Sequence, residues 1–320
     1  MKKVYVSAQL PTLALDKLQQ NHLAVAVYQG EGLITRAELL AQVRDVDFLI
    51  TTLSTEVDEA IIDAAPQLKL IANFGAGFNN IDVDYARSKG ILVSNTPQVS
   101  TNSVTELTIG LILALSHRIV EGDHQMRASG FPGWAPLYFL GHEISGKALG
   151  IVGLGNIGRE IAKKATALGM HVSYFSPRRI SAADENALEV NYKSFADLIQ
   201  TSDYISINAP LTPQTHHQFD AAVFAQMKST AALINVGRGP IVDETALLQA
   251  LKNHQIGGAA LDVYENEPEF DAGFKTLKNV ILTPHIGNAT VEARDAMAAI
   301  VANNVILMNQ DEQPKFVVDR

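Results

Sequence analysis

Short apolar runs alternate along this chain with segments whose apolar residues recur every three or four positions. Over the first hundred residues the runs are Val4–Ser7, Ala24–Tyr28, Phe48–Thr51, Leu70–Asn73 and Ile91–Ser94. Runs of this length and composition predict buried strands. Val57–Ala64 and Val83–Ser88 carry helical spacing between them. Strand–helix alternation predicts parallel pairing through crossovers, so this part reads as a small doubly wound sheet. The rhythm resumes with Ala148–Val152, His171–Phe175, Tyr204–Ile207, Ala232–Ile234, Ala259–Leu261 and Val280–Leu282. Between the two parts, Asn95-Thr96-Pro97-Gln98 marks a break, and Ser103 with Glu106 has the spacing of a capping box. The helix it would open, Val104 to Val120, is apolar nearly all round, which predicts cover on most sides. A loop from Gly130 to Gly146 follows it. A last helix from Thr290 places Met297, Ile300, Val301, Val305 and Met308 on one face.

The length of 320 residues suits two domains, and 47% apolar with 18% charged residues is a globular balance. A formal charge of −9 argues against nonspecific binding to nucleic acid or to an anionic membrane, while an anionic substrate in a locally basic cleft stays compatible. The absence of cysteine excludes disulfides, thiol nucleophiles and cysteine metal sites and fits a cytoplasmic protein. Met1-Lys2-Lys3 runs straight into the first strand and reads as no leader. The most apolar stretch, Leu107 to Leu115, is too short to span a bilayer.

Candidate chemistry begins at Gly153-Leu154-Gly155-Asn156-Ile157-Gly158, a G-x-G-x-x-G run between a predicted strand and a helix face of Ile157, Ile161, Ala165 and Leu168. A strand, a glycine turn and a helix start aim backbone N–H groups and a positive dipole end at a pyrophosphate. Three later segments also follow strand ends, where open α/β sheets bind ligands. In Asn235-Val236-Gly237-Arg238-Gly239 the arginine suits a carboxylate. In Thr283-Pro284-His285-Ile286-Gly287 the histidine can move the proton that accompanies hydride transfer. Asp262, Glu265 and Glu267, all in one segment, are rival partners for that imidazole, and spacing does not choose among them. No second histidine stands at ligand spacing from His285, so no metal is expected. His117 reads as structural within the buried helix, and His216 and His217 as solvated in a loop.

Taken together and in order, the glycine run, the Asn235–Glu244 segment, Asp262–Pro268 and Thr283–Gly287 resemble the D-isomer-specific 2-hydroxyacid dehydrogenases over almost the whole chain. The resemblance implies a catalytic triad of Arg238, Glu267 and His285, with the histidine as acid/base, the glutamate tuning it and the arginine binding the 2-oxo acid. It implies a Rossmann-type nucleotide domain (residues 100–288) inserted into a smaller flavodoxin-like doubly wound substrate domain (residues 1–99 and 289–320), with the two long helices as crossovers. The substrate carboxylate would meet the backbone N–H groups of Ala76 and Gly77 in the loop Asn73–Asn80, besides Arg238. Cofactor contacts would come from Gly153, Gly155, Asn156, Ile157, Gly158, Ser176, Arg178, Arg179, Ala209, Pro210, Thr215, Val236, Gly237, Asp262, His285 and Gly287. A homodimer is implied as well.

Ser176 stands where the family's NAD-binding aspartate would be, and Arg178 and Arg179 follow it. Loss of the acid and gain of guanidinium donors predict preference for NADP(H), with NAD(H) usable. Phosphoglycerate dehydrogenases of the family carry a basic element where this chain has Thr51–Val57 without one. Leu53–Asp58 and Trp134-Ala135-Pro136 look more like glyoxylate/hydroxypyruvate reductases. The expected substrate is a small unphosphorylated 2-oxo acid. Phosphoglycerate, a bulkier 2-oxo acid, and a corepressor-like module that binds dinucleotide without turnover stay as alternatives.

Overall fold

The computed structural model describes residues 1–318 and divides into two compact units, Met1–Ser100 with the chain from Ala289 onward, and Thr101–Asn288. The first unit opens with β1 (Lys3–Val6), α1 (Thr12–Gln20), β2 (Ala24–Val27), α2 (Arg36–Gln42), β3 (Phe48–Thr52), α3 (Glu59–Asp63), β4 (Leu70–Phe74), α4 (Val83–Ser88) and β5 (Leu92–Ser94). All pairings in its sheet are parallel, in the order β2-β1-β3-β4-β5. This is the flavodoxin-like doubly wound order. Alternate strand residues feed two separate clusters, Tyr5, Leu49 and Ile71 on one face, and Val4, Val6, Phe48, Ile50 and Leu70 on the other. Burial of both faces explains why these strands read as continuous apolar runs.

The second unit begins with α5 (Thr101–Ser116) and α6 (Ile119–Ser129). It continues through β6 (Ala148–Val152), α7 (Asn156–Ala167), β7 (His171–Phe175), α8 (Ala182–Leu188), β8 (Val190–Tyr192), α9 (Phe195–Thr201) and β9 (Tyr204–Ile207). It ends with α10 (Ala221–Phe224), β10 (Ala232–Asn235), α11 (Glu244–Lys252), β11 (Gly258–Leu261) and β12 (Val280–Leu282). Its seven parallel strands run β12-β11-β10-β9-β6-β7-β8, the dinucleotide-binding order with one strand added. The order reverses between β6 and β9, and such a switch point is where ligands bind. The last helix, α12 (Val291–Asn309), returns to the first unit, capped by the Thr290 side chain on the Ala293 amide. It buries Met297, Ala298, Val301 and Val305 in the cluster of β1 and β3, while Ile300 and Met308 are only half-buried.

Four local expectations are corrected. Ser103 does not cap a helix, because α5 already runs from Thr101, and its hydroxyl instead donates to the Gly287 carbonyl. The predicted helix to Val120 is two helices, broken where Arg118 takes a left-handed backbone (φ 56°). That break is fixed by two hydrogen bonds from the Arg118 guanidinium to Glu121 (2.9 and 2.7 Å) and by the Phe139 ring 4.0 Å from it. The His142 amide then donates to the Ser116 carbonyl, which closes the end of α5. The cover around α5 is also uneven, since Leu111 and Ile112 are buried while Gly110 is exposed. On α7, Gly158, Ile161, Ala162 and Ala165 form the buried face, and Leu168 lies beyond the helix end, 41% exposed. No single helix among the described residues is long and apolar enough to cross a membrane.

Candidate active site

The glycine turn is built by close approach. Gly153 takes φ 95°, and a Cβ there would stand 2.7 Å from the Ala209 amide nitrogen, at the end of neighbouring β9. A Cβ on Gly158 would collide with the Gly153 carbonyl oxygen, whereas a Cβ on Gly155 would enter open space. The first and third glycines are therefore required by the chain itself. The second leaves the start of α7 bare, and no side chain caps that helix. A pyrophosphate fits such a cradle by backbone donors and by dipole.

Beside the turn, the Ser176 hydroxyl accepts a hydrogen bond from the Leu154 amide at 2.9 Å. Both arginines expected to face a cofactor phosphate are exposed, and Arg178 has no hydrogen-bond or ion-pair partner among the described residues. Arg179 donates from Nε and Nη2 to Glu185, each at 2.8 Å, with its side chain still 60% exposed. Glu185 is buried and also accepts from the Tyr174 hydroxyl at 2.7 Å. Thr215 folds its loop back on itself, donating to the Pro210 carbonyl and accepting from the Thr212 amide, both at 2.8 Å. Among the other expected contacts, Pro210 is exposed, Ala209 and Gly237 are half-buried and Val236 is buried.

The triad assembles within the second unit. His285 follows β12 in a left-handed backbone (φ 52°), a conformation that its surroundings must hold in place. Asp262, buried at the end of β11, supplies that hold. Its Oδ1 accepts from the Ile286 amide (2.8 Å) and the Thr283 hydroxyl (2.6 Å), and its Oδ2 from the Gly287 amide (2.8 Å). Asp262 thus has a scaffolding task besides the cofactor contact expected of it, and Gly287 shares that task. His285 Nδ1 lies 2.7 Å from Glu267 Oε2, and Nε2 has no partner among the described residues. Glu267 Oε1 accepts from the Tyr264 amide at 3.0 Å.

Burial pushes the Glu267 carboxyl up, but the hydrogen bond and charge of His285, the Tyr264 amide and the Arg238 charge outweigh it and hold the group below the ordinary value. Burial pushes the Arg238 guanidinium down, and the Glu267 charge opposes that shift. Each group thus feels the other's charge, and Gly239, next to Arg238, lies against the Tyr264 carbonyl three residues before Glu267. Arg238 Nη1 also donates to the Gly237 carbonyl at 2.7 Å.

Supporting residues that spacing did not reveal complete the frame. Buried Asn235 accepts from the Gly237 amide and donates to the Arg238 carbonyl, both at 3.1 Å. The Tyr264 hydroxyl reaches the Thr283 carbonyl (2.9 Å) and the Leu261 carbonyl (3.2 Å), and burial raises its pKa to about 12. An asparagine just before a glycine turn was the only signal for the first, and nothing pointed to the second. Two histidines also differ from expectation, since His117 is exposed beyond α5 and His217 is paired with Glu265.

In the first unit, the loop after β4 spends its carbonyls inward. The Thr96 amide donates to Gly75, the Asn95 side chain to Ala76 (2.7 Å) and the Asn73 side chain to Gly77 (2.6 Å). The amides of Ala76 and Gly77 have no acceptor among the described residues. Two unpaired N–H groups in one exposed loop suit a carboxylate. No cluster of metal-ligating side chains occurs among the described residues.

Comparison with known proteins agrees with this geometry. Residues 109–287 match the family described as D-isomer specific 2-hydroxyacid dehydrogenase, NAD binding domain. A Staphylococcus aureus (strain MRSA252) protein assigned by name to the 2-hydroxyacid dehydrogenases is 53% identical over 319 residues, covering 100% of both chains. The NADPH-dependent glyoxylate/hydroxypyruvate reductase of Sinorhizobium meliloti, solved with NADP and malonate, superposes with a TM-score of 0.83 at 29% identity, over 99% of this chain and 96% of that one. The D-lactate dehydrogenase of Escherichia coli gives 0.85 at 28% identity, with 100% of both chains covered. A glycine cradle at the sheet's switch point, an imidazole hydrogen-bonded to a carboxylate beside a half-buried guanidinium, and above all a matching family model and full-length relatives of one kind place this chain in the D-isomer-specific 2-hydroxyacid dehydrogenase family.

Proposed function

We propose that this enzyme reduces a small unphosphorylated 2-oxo acid, of the glyoxylate or hydroxypyruvate kind, to the D-2-hydroxy acid and catalyses the reverse oxidation, with NADPH preferred over NADH. The observation that carries the chemistry is the 2.7 Å contact between His285 Nδ1 and Glu267 Oε2, because it leaves Nε2 as the ring nitrogen free to meet a substrate oxygen. The nicotinamide cofactor supplies the hydride in reduction and takes it in oxidation. In reduction, protonated His285 gives its Nε2 proton to the carbonyl oxygen, and ionised Glu267 stabilises the imidazolium before that transfer. Arg238 offers positive charge where negative charge develops on that oxygen.

Preference for NADPH is supported by the neutral Ser176 and the uncommitted Arg178. Choice of a small acid is supported by the lack of any basic residue in Thr51–Val57 and by the reductase among the structural relatives. We extend the proposal to a cytoplasmic protein, in keeping with a composition without cysteine, and to a homodimer, supported by the exposed apolar residues of α6 and the loop after it.

A substrate panel run with both reduced cofactors tests this reading. Expected are turnover of glyoxylate and hydroxypyruvate, a higher kcat/KM with NADPH, and a shift toward NADH in Ser176→Asp. Saturable NADPH binding without turnover of any 2-oxo acid would overturn the enzymatic reading, and a wild-type preference for NADH would overturn the cofactor assignment.

A further inference from the structure

Two imidazole–carboxylate pairs occur in the second unit, and the triad uses only one. The other joins His217 to Glu265, with Nε2 2.6 Å from Oε1 and both side chains about a quarter to a third exposed. His217 closes the loop that leaves β9, in a left-handed backbone with φ 49°. Its amide donates to the Pro240 carbonyl at 2.8 Å, two residues beyond Arg238. Its ring stacks on that of His216, with centroids 4.1 Å apart.

Glu265 stands in the turn that carries Glu267. Its amide donates to Glu244 Oε1 at 2.7 Å, and Glu244 is itself buried. Gly239 lies against the same turn so closely that a Cβ there would collide with the Tyr264 carbonyl. His217 therefore grips the Arg238 segment through its backbone and the Glu267 segment through its side chain. Upstream, the same loop contains Thr215, folded onto Pro210, and Ala209, which packs against Gly153 of the glycine turn.

We propose that His217 is a positioning residue which, through Glu265, couples the loop from Ala209 to His217 to the turn bearing Glu267. It touches neither substrate nor cofactor. It fixes where the Glu267 carboxylate meets His285 and ties that placement to the loop conformation. The inference rests on the reading above, in which Ala209, Pro210 and Thr215 face the cofactor. A pair that merely stabilised the fold would raise the melting temperature and leave kinetics alone.

The full-length variants His217→Leu, His217→Gln, Glu265→Gln and the double variant His217→Leu/Glu265→Leu separate these roles by kcat, KM, NADPH dissociation constant and melting temperature. In His217→Leu we expect a loss in kcat/KM of roughly five- to tenfold, the range of one orienting hydrogen bond, with weaker NADPH binding. His217→Gln, which keeps a donor, should recover most of it. The double variant should be no worse than His217→Leu, because the two side chains act as one unit. Wild-type kcat/KM and NADPH affinity in both His217→Leu and Glu265→Gln, or additive losses in the double variant, would overturn the proposal. A wild-type chain without turnover on any 2-oxo acid would instead sink the underlying reading, and the positioning role with it.

Discussion

Three acids within six residues offered themselves to His285, and each has a different partner. Asp262 takes the amides 24 and 25 residues on, Glu265 takes His217 from 48 residues back, and Glu267 takes His285 across 18. Such pairings depend on how separate strand ends converge, which no local spacing encodes. The family resemblance chose Glu267, and the geometry gives the physical reason. Glu267 is held below its ordinary value, so it is ionised at neutral pH and can stabilise the imidazolium. His285→Ala should therefore lower kcat by about 10²–10⁴, the usual worth of a positioned acid/base. Its cofactor dissociation constant should stay near wild type. Stopped-flow turnover and equilibrium binding would check both, and near-normal kcat in this variant would remove His285 from the mechanism.

Among the elements, strands buried on both faces were legible as apolar runs, because a parallel sheet covers both sides of each strand. Less legible were features decided by distant chain. Ser103 has the right neighbour for a cap, yet its hydroxyl serves the Gly287 carbonyl 184 residues away. Strand β8, with exposed Asn191 between Val190 and Tyr192, offered no apolar run and is held by its pairing with β7. The turn after β7 is another such case, since no local pattern signalled that Arg179 is bound by Glu185 in the next helix. There the Ile180 amide donates to the Tyr174 hydroxyl (3.0 Å), which donates to Glu185. The hydrogen bonds from Arg179 and Tyr174 hold the Glu185 carboxyl at about 2, against an ordinary 4.5. A carboxyl lowered by folding stabilises the folded state above its ordinary value, and that contribution is lost as pH falls toward the folded value. Glu185→Gln should thus be less stable at neutral pH and show a flatter fall in melting temperature between about pH 4.5 and 2. Parallel acid limbs for variant and wild type would contradict the clamp.

For the whole molecule, the open question is what covers the arm formed by α6 and its following loop. Trp134 and Leu137 are 85% and 84% exposed, and Ile119, Met126, Phe131 and Leu140 are each more than half exposed. Single apolar residues on a surface need no explanation, but six within 22 positions of one arm do. Helix α5 is occupied differently, since its Leu111 and Ile112 lie inside the unit's own core. A net charge of −9 makes two copies repel at long range, and the exposed apolar side chains of this arm supply the contact that would offset it. The proposed homodimer through this arm then carries a definite salt response, because screening weakens the repulsion and leaves apolar burial intact. Light scattering coupled to size exclusion should give a dimer at low salt that persists at high salt. Trp134→Asp/Leu137→Asp should give a folded monomer, recognised by an unchanged far-ultraviolet spectrum and retained NADPH binding. A wild-type monomer at micromolar concentration, or a dimer indifferent to both substitutions, would move the interface elsewhere.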